Sequence, residues 1–241
     1  MEALERSLKQ TVKCGSGDLS IREIHDRHHR VALASLLDRS FGLSENSHFL
    51  DDFPIWDPIY GARVIRAGVF DREELIATAG LRLSEWKLAN GERLPIAVIG
   101  GVATDPRFRG QHIASQLTEH LCTIAKEKGA AAVLLWGSQH ELYGRLGFKL
   151  TGKQLRVSLG QLTTECEPLV AQIRTGYHLS IFEQALRRTE GIALSNRDMG
   201  WYSSHRNVRW VWTETEQGQL QSYIGIGRGI DLTGIIHEWG G

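Results

Sequence analysis

Residues 130–137, "AAAVLLWG", form an unbroken apolar run, and no other stretch constrains the fold as tightly. A run of this kind suits a strand buried on both faces, and strands of that type belong to parallel sheets. Immediately before it, Ile113, Leu117, Leu121 and Ile124 recur at helical spacing, and Lys126, Lys128 and Gly129 supply a helix C-terminus. The β-like run "LPIAVIGGVAT" (94–104) comes earlier still. Strand, helix and strand in that order predict a βαβ unit with a parallel pair.

Upstream, "ARVIRAGVF" and "LIATAGLRLSEWKL" complete an antiparallel meander with the 94–104 run, separated by "DREE" and by "ANGER", whose Asn90-Gly91 signals a hairpin. "LSIREI" (19–24) alternates as a first strand should. "DRHHRVALASLLDRSFG" (26–42) reads as a helix with Val31, Leu33, Leu36 and Leu37 on one side, closed by Gly42. "SENSHFLDDFPIWDPIY" (44–60) mixes acids, aromatics and two prolines, and reads as a broken helix or loop able to line a pocket. After the buried run come a short helix, "HELYGRLG", and a further strand, "FKLTGKQLRVSL" (148–159).

The remainder divides into a polar linker, 160–176, and a smaller α+β segment, 177–241. A helix with Leu179, Phe182 and Leu186 on one face precedes a second short helix, "SNRDMGWYSSHR", and three strands, "VRWVWTET", "LQSYIGIGRG" and "LTGIIHEWGG". Three strands with an open edge make an uncomfortable domain. This segment is therefore expected to be half of a lobe, resting on the first or on a second subunit, or the opening of a longer chain.

Composition limits the partners. Lys plus Arg and Asp plus Glu both number 28, so no global field recruits nucleic acid or an anionic membrane, and any anion site must be local. Cys14, Cys122 and Cys166 are odd in number and widely separated, which points to a reducing compartment. No stretch approaches about 18 consecutive apolar residues, and "MEALERSLKQ" has none of the character of a signal peptide. The expectation is a cytoplasmic protein with no membrane partner, its homo-oligomeric state open.

Chemistry concentrates at "DPRFRGQHIASQL" (105–117), where Arg107, Arg109 and Gly110 stand at the mouth of a helix. A helix start carries unpaired N–H groups and partial positive charge, so nearby arginines repel unless an anion sits among them. A solvated loop with its arginines in water is the alternative. Gly100-Gly101 marks a bulge or a close approach of another backbone. His25, His28 and His29 have helical metal-ligand spacing but lack an acid or cysteine partner, so they read as a solvated face and no metal is expected. Trp210 and Trp212 share one strand face. They are expected to pack rather than stack on single-stranded RNA, and "IGIGRG" precedes a strand where a dinucleotide fingerprint needs a helix.

The order of elements over 19–159, with "VATDPRFRGQHIASQL" and "LYGRLGF", resembles the GCN5-related N-acetyltransferases. The resemblance implies an α/β fold with a mixed sheet over 1–159, and a non-catalytic acetyltransferase-like lobe over 177–241. It implies acetyl-coenzyme A as co-substrate and a small-molecule or peptide amine as acceptor. The cofactor's pyrophosphate would lie on Arg107, Arg109, Gly110, Gln111 and His112, the last standing where the family prefers a small residue. Its pantetheine arm would run along Val102, Ala103 and Thr104, with Ser138 opposite. Tyr143 would handle the leaving thiolate. Glu85, Glu92, Asp51, Asp52, His112 and His140 stay open as the base, with Glu238 added should it reach the cleft. A non-catalytic acyl-coenzyme A sensor is the competing reading.

Overall fold

In the computed structural model, which describes residues 11–14, 17–24, 27–60, 64–152, 155–158, 173–229 and 232–241, two sheets pack through their helices and loops. Strand β1 (Thr11–Cys14) pairs antiparallel with β2 (Gly17–Glu23), so the alternating run at 19–24 is the second strand of the chain and not the first. Helix α1 (Arg27–Phe41) ends at Gly42 with φ +66°. Its Leu33, Leu36 and Leu37 are buried, but Val31 is 75% exposed. Val31 and Leu33 differ by about 200° around the helix axis, so they cannot share the core stripe.

The short helix α2 (Phe49–Asp52) and a 3₁₀ turn (Pro54–Trp56) follow. Arg66 stitches this segment to the sheet, its guanidinium donating to the carbonyls of Trp56 at 2.9 Å and Asp57 at 2.9 Å. Burial lowers the Arg66 pKa to about 10. Arg30 grips Asp57 with both nitrogens of its fork, at 2.9 and 2.7 Å.

The meander forms as its runs predict. β3 (Val64–Asp71), β4 (Glu74–Lys87) and β5 (Arg93–Thr104) pair antiparallel. Gly91 turns the second hairpin at φ +84°, while the first uses Arg72 at φ +57°, a left-handed position the sequence does not announce. Helix α3 (Ile113–Glu127) lays Ile113, Leu117, Leu121 and Ile124 on the sheet, all of them buried. Each such side chain contributes about 1.5–3 kcal/mol of burial free energy.

β6 (Ala132–Leu135) returns parallel to β5. It is a strand of the expected direction but not one buried on both faces. Ala132 is exposed, Val133 to Leu135 are half-buried, and Trp136 is 71% exposed. Beyond helix α4 (His140–Arg145), the described residues of the expected last strand, 148–152 and 155–158, have no strand structure, and residues 153, 154 and 159 lie outside the described set. Leu150, Leu155 and Val157 are correspondingly exposed. Among the described residues β6 therefore has a ladder partner on one side only.

Most of the expected linker lies outside the described residues, but its end forms a strand. β7 (Ile173–Thr175) joins the second sheet, making four strands where three are legible in the sequence. Helix α5 (Leu179–Arg187) buries Ile181, Phe182 and Ala185, while Leu179, at the first position, overhangs and is 54% exposed. β8 (Gly191–Ile192) pairs with β4 of the first sheet. Helix α6 (Met199–Tyr202) follows, and β9 (Arg209–Glu214), β10 (Leu220–Ile226) and β11 (Ile236–Gly240) complete the sheet in the order β11-β10-β9-β7. Trp210 packs with Phe182, Tyr202 and Tyr223, and the Trp212 indole N–H donates to the Gly176 carbonyl at 3.0 Å. Both rings are thus engaged by protein.

The C-terminal segment is fastened to the first sheet by side chains. Arg82 pairs with Asp198 at 3.0 Å, both nearly buried, and Lys87 caps the carbonyls of Leu186 and Arg188 at 3.0 and 2.7 Å. Asn207 donates to the buried Asp52 carboxylate, and the His205 Nδ1–H donates to the Asp52 carbonyl at 3.1 Å.

Candidate active site

The cleft originates in the ladder. β5 and β6 stay in parallel register only from Ile96 opposite Ala132 to Ile99 opposite Leu135. Two residues further, β5 bulges. Gly101 adopts φ +60°, and the pairing with β4 slips between Thr78 and Gly80. A bulge bends its strand and releases backbone groups from the ladder, and the two strands part around a cleft of about 640 Å³. Gly100, Gly101, Val102, Ala103 and Thr104 line one wall, and Gly137, Ser138 and Tyr143 the other.

The mouth is the Arg-Gly loop. Asp105 organises it, its carboxylate accepting from the Arg107 N–H at 3.0 Å, the Arg107 Nε at 3.0 Å and Arg39 at 3.1 Å. The Arg107 contacts lead in holding this carboxyl well below the ordinary aspartate range. Arg107 also pairs with Glu74. Its guanidinium is therefore committed to protein carboxylates, and neither it nor Gln111 is among the residues lining the cleft. Arg109 does line the cleft, where it donates to the carbonyls of Ser40 at 3.0 Å and Thr104 at 3.3 Å.

Gly110 turns the chain into α3 at φ +79°, and no atom stands within 4 Å of where a Cβ would be. His112 occupies the N-cap at φ +59° with no side-chain cap. A left-handed N-cap favours glycine, since such a conformation costs a residue with a Cβ about 1–2 kcal/mol. The first helical bond runs from the Gln116 N–H to the His112 carbonyl at 3.1 Å. The amides of Ile113, Ala114 and Ser115 precede it, have no intrahelical acceptor, and line the cleft.

These features fit a diphosphate with an extended arm. Unpaired first-turn amides, the helix dipole and Arg109 all favour an anion at the mouth. At the other end the Tyr143 ring lies on Gly137, where a Cβ would meet Cε2 at 2.8 Å, and Phe148 meets it edge-on at 6.0 Å. Burial raises the phenol above its ordinary pKa of 10.0, so its proton is retained throughout the neutral range.

The candidate bases scatter. Asp52 is held by His205 and Asn207, Glu85 pairs with Arg93 at 2.9 Å, and Asp51 faces Arg206 at 3.5 Å. Glu92 and His140 are exposed and do not line the cleft. Glu238 does not line it either, since the Tyr202 hydroxyl donates to it at 2.9 Å and Arg188, at the end of α5, pairs with it. His112 is at the mouth. Among the described cleft-lining residues there is no carboxylate. His25 and the side chain of His28 lie outside the described residues, and among those described no three His, Cys, Asp or Glu side chains converge.

Sequence reasoning missed Ser40 and Phe41, which line the cleft from the end of α1. The 44–60 segment contributes nothing to the large cleft; instead its Trp56 lies across Gly80 and Gly100, which face each other on β4 and β5. Two glycines opposite one another on paired strands are the signal that an aromatic ring covers them. Among the described residues no helix is long and apolar enough to cross a membrane.

Known proteins resemble this chain in sequence or in fold. The chain is 32% identical over 87 residues to glucosamine 6-phosphate N-acetyltransferase of Trypanosoma brucei brucei, a match covering 35% of this chain and 58% of that relative. A conserved protein of unknown function from Enterococcus faecalis superposes with a TM-score of 0.59 at 13% identity, over 86% of this chain and 54% of its own. An acetyltransferase from Trypanosoma brucei superposes with a TM-score of 0.47 at 22% identity, over 59% of this chain and all of its own. Residues 20–151, more than half of the chain and the whole of the cleft, match the Acetyltransferase (GNAT) domain, and the chain therefore belongs to the GNAT family of acyltransferases, whose acyl donor is acetyl-coenzyme A.

Proposed function

We propose that the protein transfers the acetyl group of acetyl-coenzyme A to a primary amine of a small molecule or peptide, by direct attack within a ternary complex. The observation that carries this reading is a cleft with unpaired helix amides at one end and a half-buried tyrosine at the other. The amides of Ile113 to Ser115, Gly110 and Arg109 would hold the diphosphate, and the freed backbone of Val102 to Thr104, with Ser138 opposite, would hold the arm. The amine nitrogen bonds to the acetyl carbon as the carbon–sulfur bond breaks, the Tyr143 hydroxyl gives its proton to the departing sulfur, and the proton shed by the nitrogen returns to the phenolate through water. Orientation supplies most of the entropic advantage. The amino-sugar named for the trypanosomal relative supports a small-molecule amine as acceptor. Residues 177–241, none of which lines the described cleft, serve as a non-catalytic lobe.

A primary amine is protonated at neutral pH, and the described lining offers no carboxylate to take that proton. This favours proton loss through water, and it also keeps a second reading in play, an acyl-coenzyme A sensor that binds without turnover. Calorimetry with coenzyme A, followed by acetyl transfer to a panel of amines, decides between them. Micromolar binding with transfer is expected. Binding without transfer to any amine establishes the sensor, and no heat with coenzyme A overturns both.

A further inference from the structure

The geometry points to Trp56 as the residue that sets acyl-chain length, an indole stop placed behind the bulge of β5. This rests on the reading that the cleft takes an acyl-coenzyme A. The cleft runs from the first turn of α3 along Thr104, Ala103, Val102 and Gly101 to Ile99 and Gly100, where the strands converge. A ligand anchored by a diphosphate at the mouth therefore carries its acyl end to Gly100 and Gly101. Trp56 stands behind those two residues. A Cβ built on Gly100 would lie 2.2 Å from its Cζ2 and one built on Gly80 2.5 Å from its Cε3, while Gly101 looks onto its Cγ at 3.7 Å and onto Leu37 at 3.8 Å.

The space beyond is nearly full. A void of about 10 Å³, bounded by Trp56, Leu37, Leu33, Thr78, Gly80 and Gly101, lies on that side. That is room for about one water. The Trp56 backbone cannot easily retreat, because its carbonyl accepts from the buried Arg66 at 2.9 Å and its N–H donates to the Phe53 carbonyl at 3.0 Å. A short acyl group ends before the indole. Added methylenes meet a ring that packing holds in place, and overfilling a packed site is unfavourable.

The test is calorimetry with coenzyme A, acetyl-coenzyme A and butyryl-coenzyme A on the native chain and on Trp56→Phe, Trp56→Ala and Leu37→Ala, each checked by thermal melting. The native protein is expected to bind the butyryl form at least about tenfold more weakly than the acetyl form. Trp56→Ala abolishes that deficit and gains up to about fifteenfold for the butyryl form, the value of two buried methylenes. Trp56→Phe and Leu37→Ala shift the ratio part of the way. An unchanged butyryl-to-acetyl ratio in folded variants that still bind coenzyme A overturns the stop alone. Should Trp56→Ala fail to fold, the ratio measured in the other two variants decides in its place. Absence of heat with coenzyme A in the native protein overturns the cleft assignment, and the stop falls with it.

Discussion

The two sheets solve opposite problems with opposite materials. In the first, the parallel pair comes apart after Ile99, and the cleft is lined largely by backbone: a bulge at Gly101, a left-handed Gly110 and the first-turn amides of α3. In the second, four antiparallel strands close over aromatic side chains, with Trp210, Tyr202 and Tyr223 filling the interior. A site for an extended, anionic ligand calls for dipoles that are already oriented, and peptide groups supply them without side-chain entropy loss. A sheet that only packs calls for volume, and indoles and phenols supply that.

If this contrast is right, the second sheet should be most sensitive where side chains fasten it to the first. Asp198→Ala strands the nearly buried Arg82 and removes acceptors from Trp201 and Ser195. Denaturant unfolding should show a loss of about 3–5 kcal/mol, the usual cost of breaking a buried pair from one side. A loss below about 1 kcal/mol would place this contact among surface pairs.

In the cleft the corresponding loss should be chemical. Tyr143→Phe keeps the ring on Gly137 and is expected to lower acetyl transfer about a hundredfold, at the lower end for a general acid, with coenzyme A affinity nearly unchanged. Because burial raises this phenol, any alkaline fall in rate that it causes must lie above pH 10.0. Equal rates in the two proteins would remove the residue from the mechanism.

Gly110→Ala probes backbone conformation alone. At φ +79° a side chain is strained even in open space, so coenzyme A affinity should drop about tenfold, matching the roughly 1–2 kcal/mol cost of the left-handed region. Unchanged affinity would mean that the loop does not need this conformation to bind.

The smallest effect should come from His205, where the two regions meet. Burial, with Arg228 nearby, pushes its pKa down to about 4, so the folded protein holds it neutral. The unfolded chain, with a histidine pKa of about 6.5, binds the extra proton first. The contribution to stability is therefore complete above that pH and is lost progressively as pH falls toward 4. Between pH 7 and pH 6 it amounts to about 0.7 kcal/mol. Thermal melts of the native chain and His205→Gln across this range should converge on the acid side, and parallel curves would refute the assignment.

Much of the first sheet and its site is legible in the chain. Ile113, Leu117, Leu121 and Ile124 predict α3, Gly100-Gly101 marks the bulge, and Gly110 marks the turn into the helix. These features are local, set by periodicity or by a φ that one residue type tolerates. What is not legible depends on partners distant in sequence. Family resemblance puts Arg107 at the ligand, but Asp105 and Glu74 claim it. Val31 reads as a core residue, and the helix turns it out. Ile173–Thr175 reads as linker, and β9 recruits it as a strand. Trp56 is one aromatic in a mixed loop until Gly80 and Gly100 come to lie opposite one another beneath it.

By itself, then, the order of residues determined the βαβ unit, the meander, the helix start with its free amides, and hence the family. Periodicity and backbone dihedrals are properties of a few neighbouring residues, and they survive without knowledge of the rest. Only the tertiary structure decided which arginine faces the cleft, that no described carboxylate lines it, and that an indole lies across Gly80 and Gly100. Those outcomes follow from competition among charges and volumes far apart in the chain, and the winner depends on distances that exist only once the chain has folded.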